Sequence, residues 1–487
     1  MTNTGTRPES GQLPGVEPAL APARLVLTAA LLGFFTICLD ATGLNVALPA
    51  VARSLGGTTQ GLQWVVDGYT VPFAALLISA GVVSDRRGAR GVFGCGVAVF
   101  ALASAGCGLA PGLGVLIAAR VVQGAAAASM LPSSLALVRQ AYAGPEARAR
   151  AIAIWSAGGA SAMAAGPVLG GILTSALGWR AVFFVNLPAA AAALALLTRA
   201  PRSPRRLAPL DPAGQVSAVL ALAALTYGVI EGGDDGFGRP AVLAALAVAA
   251  LAGGCFLAAE ARVRQPMVPP GLFRTPAVVA CTLAGFSINV AFYGVVFLFS
   301  LYFQQVLGEP PVTAGLLFLP MTGLLTVANL ASMRVAGRWG HHVAVRIGLG
   351  AGTAGMLILA FAHGRAGTEI AMVPAGTGLG FALPSLTFLL LDSLPPDRAG
   401  LAGGLFNAAR QTGGALGVAV FGALVSGSFL AGLRASLLIG AALLLVSTAV
   451  AVAVFRAPAE RRGGRGALRR RAAAGRSPGI RECRPYK

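Results

Sequence analysis

Fourteen apolar segments, each long enough to cross a lipid bilayer as a helix, occupy most of this sequence. A spanning helix needs about 20 predominantly apolar residues. Breaking the chain at its charged and Pro/Gly-rich gaps leaves segments of that size at 25–48, 62–82, 91–110, 113–137, 150–175, 179–198, 213–231, 240–259, 276–301, 313–333, 343–362, 368–391, 400–427 and 435–455. Only 11% of the 487 residues are charged, whereas soluble domains carry about 25%. We therefore predict an all-α integral membrane protein with 14 transmembrane helices.

The placement of arginine predicts the orientation of these helices. The even-numbered gaps between segments hold 17 arginines and the odd-numbered gaps hold five. Because cytoplasmic loops are enriched in Lys and Arg, the even gaps and both termini are predicted to be cytoplasmic. The chain has 36 arginines, one lysine and abundant Ala, Gly and Pro, which suggests GC-rich bacterial coding. We expect a multi-pass protein of the bacterial inner (plasma) membrane.

The formal net charge of +20 raises the question of nucleic-acid binding. Eleven of the 37 basic residues lie in the tail from residue 456 onward, and no aromatic or zinc-spaced motif accompanies the charge. A solvated tail near anionic lipid headgroups is the better interpretation, and we expect no nucleic-acid partner. The six cysteines form no CxxC pair, so neither a disulfide nor a metal site is expected.

An internal repeat divides the chain. Leu131-Pro132-Ser133 matches Leu383-Pro384-Ser385 at an offset of 252 residues, and the gap 84–90 matches 336–342 at the same offset. Helices two to five therefore recur as helices ten to thirteen, which predicts two six-helix halves (23–200 and 263–456) with two additional central helices (201–262) between them. A disordered cytoplasmic tail (1–22) and a basic cytoplasmic tail (457–487) flank them. Repeated halves are typical of secondary transporters, whose substrates bind between the halves near the bilayer midplane.

Two acids and two arginines lie inside these apolar segments, away from the segment ends. Asp40 lies in LDATGLNVALPA near the middle of the first helix, and Asp67 lies in WVVDGYT near the start of the second. Burial disfavours the charged form of a carboxyl group, so such a group can exchange a proton, and Arg120 would favour the charged form if it lies close. Asp67 could instead be an interfacial residue in contact with water. Arg410 could line a cavity or extend to the membrane interface.

Glycine and proline mark two further motifs. GVVSDRRGARG (81–91) places tight-turning glycines beside charges that can interact with helix ends. In AMAAGPVLGG (162–171), Pro167 bends the fifth helix and its glycines allow close packing.

With these motifs, with ARVVQGAAAASMLPSS (119–134) and with NAARQTGGALG (407–417), the chain resembles the major facilitator superfamily, specifically its fourteen-helix drug:proton antiporters, from the first helix to the last. The resemblance implies a major facilitator fold and a proton-coupled antiporter that exports small amphipathic drugs, antibiotics or secondary metabolites, in some members for self-resistance. It assigns proton coupling to Asp40, Asp67 and Arg120, a gating loop to Gly81, Asp85, Arg86, Gly88 and Arg90, and the antiporter motif to Gly166, Pro167, Gly170 and Gly171. The cavity candidates are Asn45, Gln123, Arg410 and Gln411.

Two other functions remain open from the sequence. A proton-coupled symporter for a nutrient or metabolite would share the same helices. A membrane-embedded enzyme would need catalytic residues, but no paired catalytic carboxylates, Ser/His/Asp set or metal cluster is apparent. No GxxxxGK[ST] nucleotide loop occurs. We therefore expect a monomeric, non-enzymatic transporter in the lipid bilayer, with protons and a small molecule as partners and the proton gradient in place of any cofactor.

Overall fold

The computed structural model describes residues 20–455 except 202, 206–210, 264, 265, 267, 363 and 396–398. Every regular element in this part of the chain is a helix. The tail predicted for residues 1–22 lies outside the described residues except for its last three, which already belong to the first helix. The basic tail predicted for residues 457–487 also lies outside them.

Fourteen helices of the described part are long and apolar enough to span a membrane, as predicted. They are α1 (Leu20–Leu55), α2 (Thr59–Arg87), α3 (Ala89–Gly108), α4 (Leu113–Ala141), α5 (Pro145–Leu177), α6 (Ala181–Thr198), α7 (Pro212–Asp235), α8 (Pro240–Arg262), α9 (Pro276–Leu301), α10 (Pro311–Trp339), α11 (His341–Phe361), α12 (Gly364–Asp392), α13 (Ala399–Val425) and α14 (Phe429–Val454). A short 3-10 helix, Pro270–Arg274, precedes α9, and a π-helical turn, Tyr302–Val306, extends it.

The observed helices are mostly longer than the predicted apolar segments. The first segment was predicted at 25–48, but α1 covers 36 residues. Hydropathy detects only the stretch that suits hydrocarbon, whereas hydrogen bonding within the helix continues through polar residues at its ends. Proline stands in the first turn of α5, α7, α8, α9 and α10, where its missing N–H group would have had no partner within the helix.

The two six-helix halves repeat the same packing. In the first half α1 packs along α5, and α2 and α3 pack along α4; in the second half α9 packs along α13, and α10 and α11 pack along α12. A Cβ atom at Gly124 would collide with the carbonyl oxygen of Tyr69, and one at Gly376 would collide with that of Met321. Both members of this close pair are displaced by the same 252 residues that separate the repeated motifs. The sequence repeat is therefore also a structural repeat.

The halves meet along α2 and α13, along α5 and α10, and along α1 and α9. Gln63 donates through Nε2 to the carbonyl oxygen of Ala419 at 2.9 Å, and the backbone N–H of Val312 donates to the Ser175 hydroxyl at 3.1 Å. Among the described residues, the hydrogen bonds between halves lie near the middle of the bundle or at the end that carries the α1–α2 and α5–α6 connections. The halves are thus joined most firmly at that end.

The two additional helices are central in the sequence but peripheral in space. Helix α7 packs against α2 and α13, whereas α8 packs mainly against α7. Trp64 of α2 donates through its indole N–H to Glu231 of α7 at 3.2 Å, and Gln215 of α7 donates to the carbonyl oxygen of Ala75 at 3.0 Å. Helix α7 is therefore bound by polar contacts over the seam between α2 and α13, while most of α8 faces outward.

Candidate functional site

Asp40 and Arg120 form an ion pair inside the first half. Arg120 donates through Nη1 to Oδ2 of Asp40, although 80 residues separate them in the chain. Each residue is 1% exposed. Two charges of opposite sign are tolerated away from water only when they are paired and their remaining hydrogen-bonding groups are satisfied. The surroundings of this pair provide those partners.

Three polar side chains complete the pair into a buried cluster. Asn186 of α6 donates to Oδ1 of Asp40 at 2.9 Å, and Gln123 donates to the same oxygen at 3.1 Å. Gln123 also accepts from Nη1 of Arg120 at 2.9 Å. Ser104 of α3 accepts from Asn186 at 3.0 Å and donates to the carbonyl oxygen of Phe183 at 2.9 Å. The cluster therefore joins α1, α3, α4 and α6, and a change in the charge of Asp40 would disturb all four helices.

Tyr69 of α2 covers the other side of the arginine. The guanidinium carbon of Arg120 lies 4.2 Å from the centre of the Tyr69 ring, and its Nε donates to the carbonyl oxygen of Val65 at 3.1 Å. Because Gly124 has no side chain, α4 can approach the backbone of Tyr69 closely enough for these contacts. The Tyr69 hydroxyl is buried and has no hydrogen-bond partner.

Asp67 lies away from this cluster and is completely buried, with 0% exposure. Oδ1 accepts from the Thr70 hydroxyl at 2.8 Å, whereas Oδ2 has no hydrogen-bond partner. Residues four apart share a helix face, and Gln63, four residues earlier, bonds to α13. Asp67 therefore belongs to the seam between the halves. The structure does not place it at a water-exposed interface, because helix packing covers a position whose depth alone suggested exposure.

Arg410 and Gln411 form a second polar group, in the second half. Arg410 donates through Nε to Oδ1 of Asn289 at 3.3 Å and through Nη1 to Oδ1 of Asn407 at 3.5 Å. Asn289 in turn donates to Oε1 of Gln411 at 3.4 Å. Arg410 lies near the middle of α13 and turns toward α9, so its side chain does not extend to the membrane interface.

Asn45 lies where α1 meets α9. The side-chain amide of Asn45 donates to the carbonyl oxygen of Ala41 at 3.0 Å. The backbone carbonyl oxygen of Asn45 accepts from the hydroxyl of Ser300. Gln304 donates to the next carbonyl oxygen, that of Val46, at 2.8 Å. Asn45 is 1% exposed and belongs to this contact between the halves.

The fifth-helix motif lies between α1 and α10. A Cβ atom at Gly166 or Gly170 would collide with α1 at Thr42 or Gly43, and one at Gly171 would collide with the carbonyl oxygen of Pro311 in the other half. Gly315 of α10 approaches the carbonyl oxygen of Pro167 in the same way. The motif thus allows backbone contact on two sides, one of which is the seam between the halves.

The predicted gating loop joins α2 to α3. It lies at the end of the first half opposite to the α1–α2 and α5–α6 connections. Gly88 turns the chain between α2 and α3 with φ of 92°, and Gly340 makes the equivalent turn in the second half with φ of 94°. Arg90 donates to the carbonyl oxygen of Thr198 at 3.0 Å. Asp85 and Arg86 are exposed, and Gly81 lies near Pro132 of α4. Neither charged residue takes part in the ion pairs of the described part of the chain.

Sequence reasoning missed several polar residues of these groups: Tyr69, Ser104, Asn186, Asn289 and Ser300. An available signal was the occurrence of asparagine within apolar runs, as in VFFVNLP and FSINVAF. A buried amide without a partner is costly, so each such asparagine predicts a polar neighbour. The sequence does not show which helix supplies that neighbour.

Two repeated six-helix halves around buried polar groups define this protein as a secondary transporter of the membrane. The sequence matches the Major Facilitator Superfamily over residues 30–418, and the chain belongs to this superfamily. Its members carry small molecules across membranes, so the expected fold and family are confirmed.

Curated relatives cover most of the chain. The methylenomycin A resistance protein of Streptomyces coelicolor is 37% identical over 408 residues, which are 83% of this chain and 86% of that protein. The tetracenomycin C resistance and export protein of Streptomyces glaucescens is 36% identical, with coverage of 82% and 75%. The multidrug resistance protein Stp of Mycobacterium tuberculosis is 35% identical, with coverage of 82% and 76%.

Solved structures share the fold at low sequence identity. The human organic anion transporter MFSD10 has a TM-score of 0.63 at 17% identity and matches 88% of this chain and 99% of its own. A bacterial homolog of the human lysosomal transporter Spinster, in an inward-facing and unoccupied conformation, has a TM-score of 0.63 at 17% identity and matches 89% of this chain and 97% of its own.

Proposed function

We propose that this protein exports small amphipathic molecules from the cytoplasm in exchange for protons, as a monomer in a bacterial inner membrane. The resistance and export proteins named above support export, because they match this chain over most of its length. The antiporter motif of α5 agrees with that direction. The observation that carries proton coupling is the buried cluster of Asp40, Arg120, Gln123 and Asn186.

In this mechanism Asp40 is the group that binds and releases the proton. When Asp40 is charged, it neutralises Arg120 and accepts from two amides. When it is protonated, Arg120 loses its counterion, and an uncompensated buried charge costs about 3–5 kcal/mol. Protonation would therefore favour a different packing of the four helices that the cluster joins. A rearrangement of these helices is what alternating access requires.

The contacts between the halves agree with a cytoplasm-facing state of the transport cycle. The hydrogen bonds between the halves lie toward the end that the arginine distribution assigns to the exterior. At the other end of α13, a Cβ atom at Gly403 or Gly404 would meet no atom within 4 Å. We infer that both termini and the open end face the cytoplasm, and that the exposed Asp85 and Arg86 form contacts in another state of the cycle.

The variant Asp40→Asn tests the coupling. Asparagine resembles the protonated acid in shape and cannot titrate, so we expect the variant to bind substrate but to lose proton exchange. The measurement is proton release from acidified inverted vesicles on addition of an exported compound chosen from a resistance panel, together with binding of that compound to purified protein. A matched control is Asp235→Asn, because Asp235 pairs with Arg239 at the exposed end of α7.

We expect the control to exchange protons at the wild-type rate. If Asp40→Asn also does so, Asp40 is structural and the coupling group lies elsewhere. If the unmodified protein exports no compound of a broad panel from an efflux-deficient host, the proposal of export is wrong.

A further inference from the structure

The second half contains a buried cation that is not neutralised. Arg120 in the first half is paired with Asp40, but Arg410 has no carboxylate within ion-pair distance among the described residues. Its two side-chain hydrogen bonds go to neutral amide oxygens of Asn289 and Asn407. A guanidinium has five N–H donors, so most of its donors remain available to a ligand.

Arg410 is also accessible, although it lies deep in the protein. The Arg410 residue is partly buried, whereas Asn289 beside it is only 3% exposed. Cys38 of α1 and Tyr293 of α9 lie close enough to interact electrostatically with it. Arg410 therefore lies near α1 of the first half, where the two halves meet.

Tyr69 of the first half has the same neighbours and is completely buried. Its side chain also interacts electrostatically with Cys38 and Tyr293, and its hydroxyl is buried without a hydrogen-bond partner. A buried hydroxyl without a partner is costly, and a bound ligand would remove that cost. The unpaired hydroxyl of Tyr69 in the first half and the uncompensated guanidinium of Arg410 in the second half are thus both near Cys38 and Tyr293.

The structural repeat separates this group from the proton-binding cluster. The positions of Tyr69 and Arg120 are occupied in the second half by Met321 and Met372. The equivalent positions of the second half therefore cannot form this ion pair. In the first half the positive charge of Arg120 and the negative charge of Asp40 cancel. Of the two intramembrane arginines, Arg410 is therefore the one whose positive charge is available to a ligand.

We propose that Arg410 binds a carboxylate group of the exported molecule, with the Tyr69 hydroxyl as a second donor. This inference rests on the proposed export function and specifies its substrate class as amphipathic monocarboxylates. Guanidinium suits this role because its parallel N–H groups match the two oxygens of a carboxylate. Neutral analogues of the same shape would lose the charge-assisted hydrogen bonds.

A matched pair of fluorescent probes tests this specificity: 7-diethylaminocoumarin-3-carboxylate and its carboxamide. Inverted vesicles that carry the full chain and a proton gradient are used to measure KM for each. Hydrogen bonds to charged groups account for roughly 10- to 100-fold in affinity. We therefore expect Arg410→Gln to raise KM for the carboxylate by about that factor and KM for the carboxamide by less than about twofold. Arg410→Lys should recover part of the loss.

A second variant keeps Arg410 and neutralises its charge with a carboxylate on a neighbouring residue. Asn289→Asp places a carboxylate where an amide oxygen now lies 3.3 Å from Nε of Arg410. It should abolish the preference for the carboxylate probe while transport of the carboxamide continues. The control is Arg434→Gln, because Arg434 of α14 donates to the carbonyl oxygen of Ala360 at 3.3 Å outside this group. That variant should retain the wild-type preference.

The outcomes separate this inference from the proposed function. If the wild type transports the carboxamide with proton exchange but does not prefer the carboxylate, or if folded Arg410→Gln loses both probes equally, the anion site is wrong and export stands. If neither probe is transported, fluorescence polarisation of the carboxylate probe with purified protein decides. Arg410-dependent binding supports the site although export of these probes has failed, and absence of binding overturns it.

Discussion

At the scale of single residues, the two intramembrane aspartates have opposite surroundings. Asp40 faces a guanidinium and two amide donors, whereas one oxygen of Asp67 has no partner. A charged Asp40 is therefore supported by its neighbours, while Asp67 receives only the hydroxyl of Thr70. The same substitution should consequently have different effects at the two positions.

We expect Asp40→Asn to lower the thermal stability of the purified protein and Asp67→Asn to leave it unchanged or raise it. Removing one member of a buried ion pair costs about 3 kcal/mol or more, because Arg120 loses its counterion. At Asp67 no cation loses a partner, and the amide can still bond to Thr70. The measurement is the Tm of each variant in the same detergent. A larger loss for Asp67→Asn than for Asp40→Asn would contradict this assignment of the charges.

At the scale of elements, the contact between α5 and its neighbours depends on the absence of side chains. Gly170 lies against the backbone of α1 and Gly171 against that of α10, whereas Gly166 lies against the Thr42 side chain of α1. Backbone atoms cannot rotate away as a flexible side chain can. A methyl group at these positions would force the helices apart, and at Gly171 it would also separate the halves.

The variant Gly170→Ala should reduce stability and transport. In an exposed helix, replacing glycine by alanine stabilises by roughly 0.5–1 kcal/mol, but overpacking in a close contact costs about 1–3 kcal/mol. We therefore expect a net loss in Tm and a lower transport rate. The control is Gly253→Ala in α8, where a Cβ atom would meet no atom within 4 Å. It should keep or raise the Tm, and equal effects of the two substitutions would refute the packing argument.

At the scale of the whole molecule, the pattern of the two halves and the two inserted helices fixes the topology. Helices α7 and α8 add an even number of crossings, so the second half keeps the orientation of the first. Their peripheral position explains how they can be added without changing the packing within either half. Polar contacts from α7 to α2 hold the insertion beside the seam.

Reporter fusions test this arrangement. Alkaline phosphatase fused after Asp235, at the end of α7, should be active because the proposed topology places the α7–α8 connection outside. Green fluorescent protein fused after Lys487 should fluoresce because the proposed topology places this terminus in the cytoplasm. A fusion after Val263 serves as an internal control with the same expectation. A cytoplasmic signal from Asp235 would rule out this topology for the inserted pair.

The sequence by itself determined the number of helices and the existence of a repeat, because both depend on local properties. Hydropathy over about 20 residues identifies a spanning helix wherever it packs, and the offset between similar motifs does not depend on contacts. Sequence also singled out Asp40 and Arg120, since charged groups are costly inside a membrane and require partners, and the family resemblance added Gln123.

Only the tertiary structure decided which partners these groups have. Asp40 binds Arg120 and Asn186, which lie 80 and 146 residues away in the chain. The depth of Asp67 suggested contact with water, but the packed helices bury it completely. Arg410 lies against Asn289 and not at the membrane interface. Depth along a helix can be read from position, but the direction of a side chain and the helix opposite it follow from packing among all the helices.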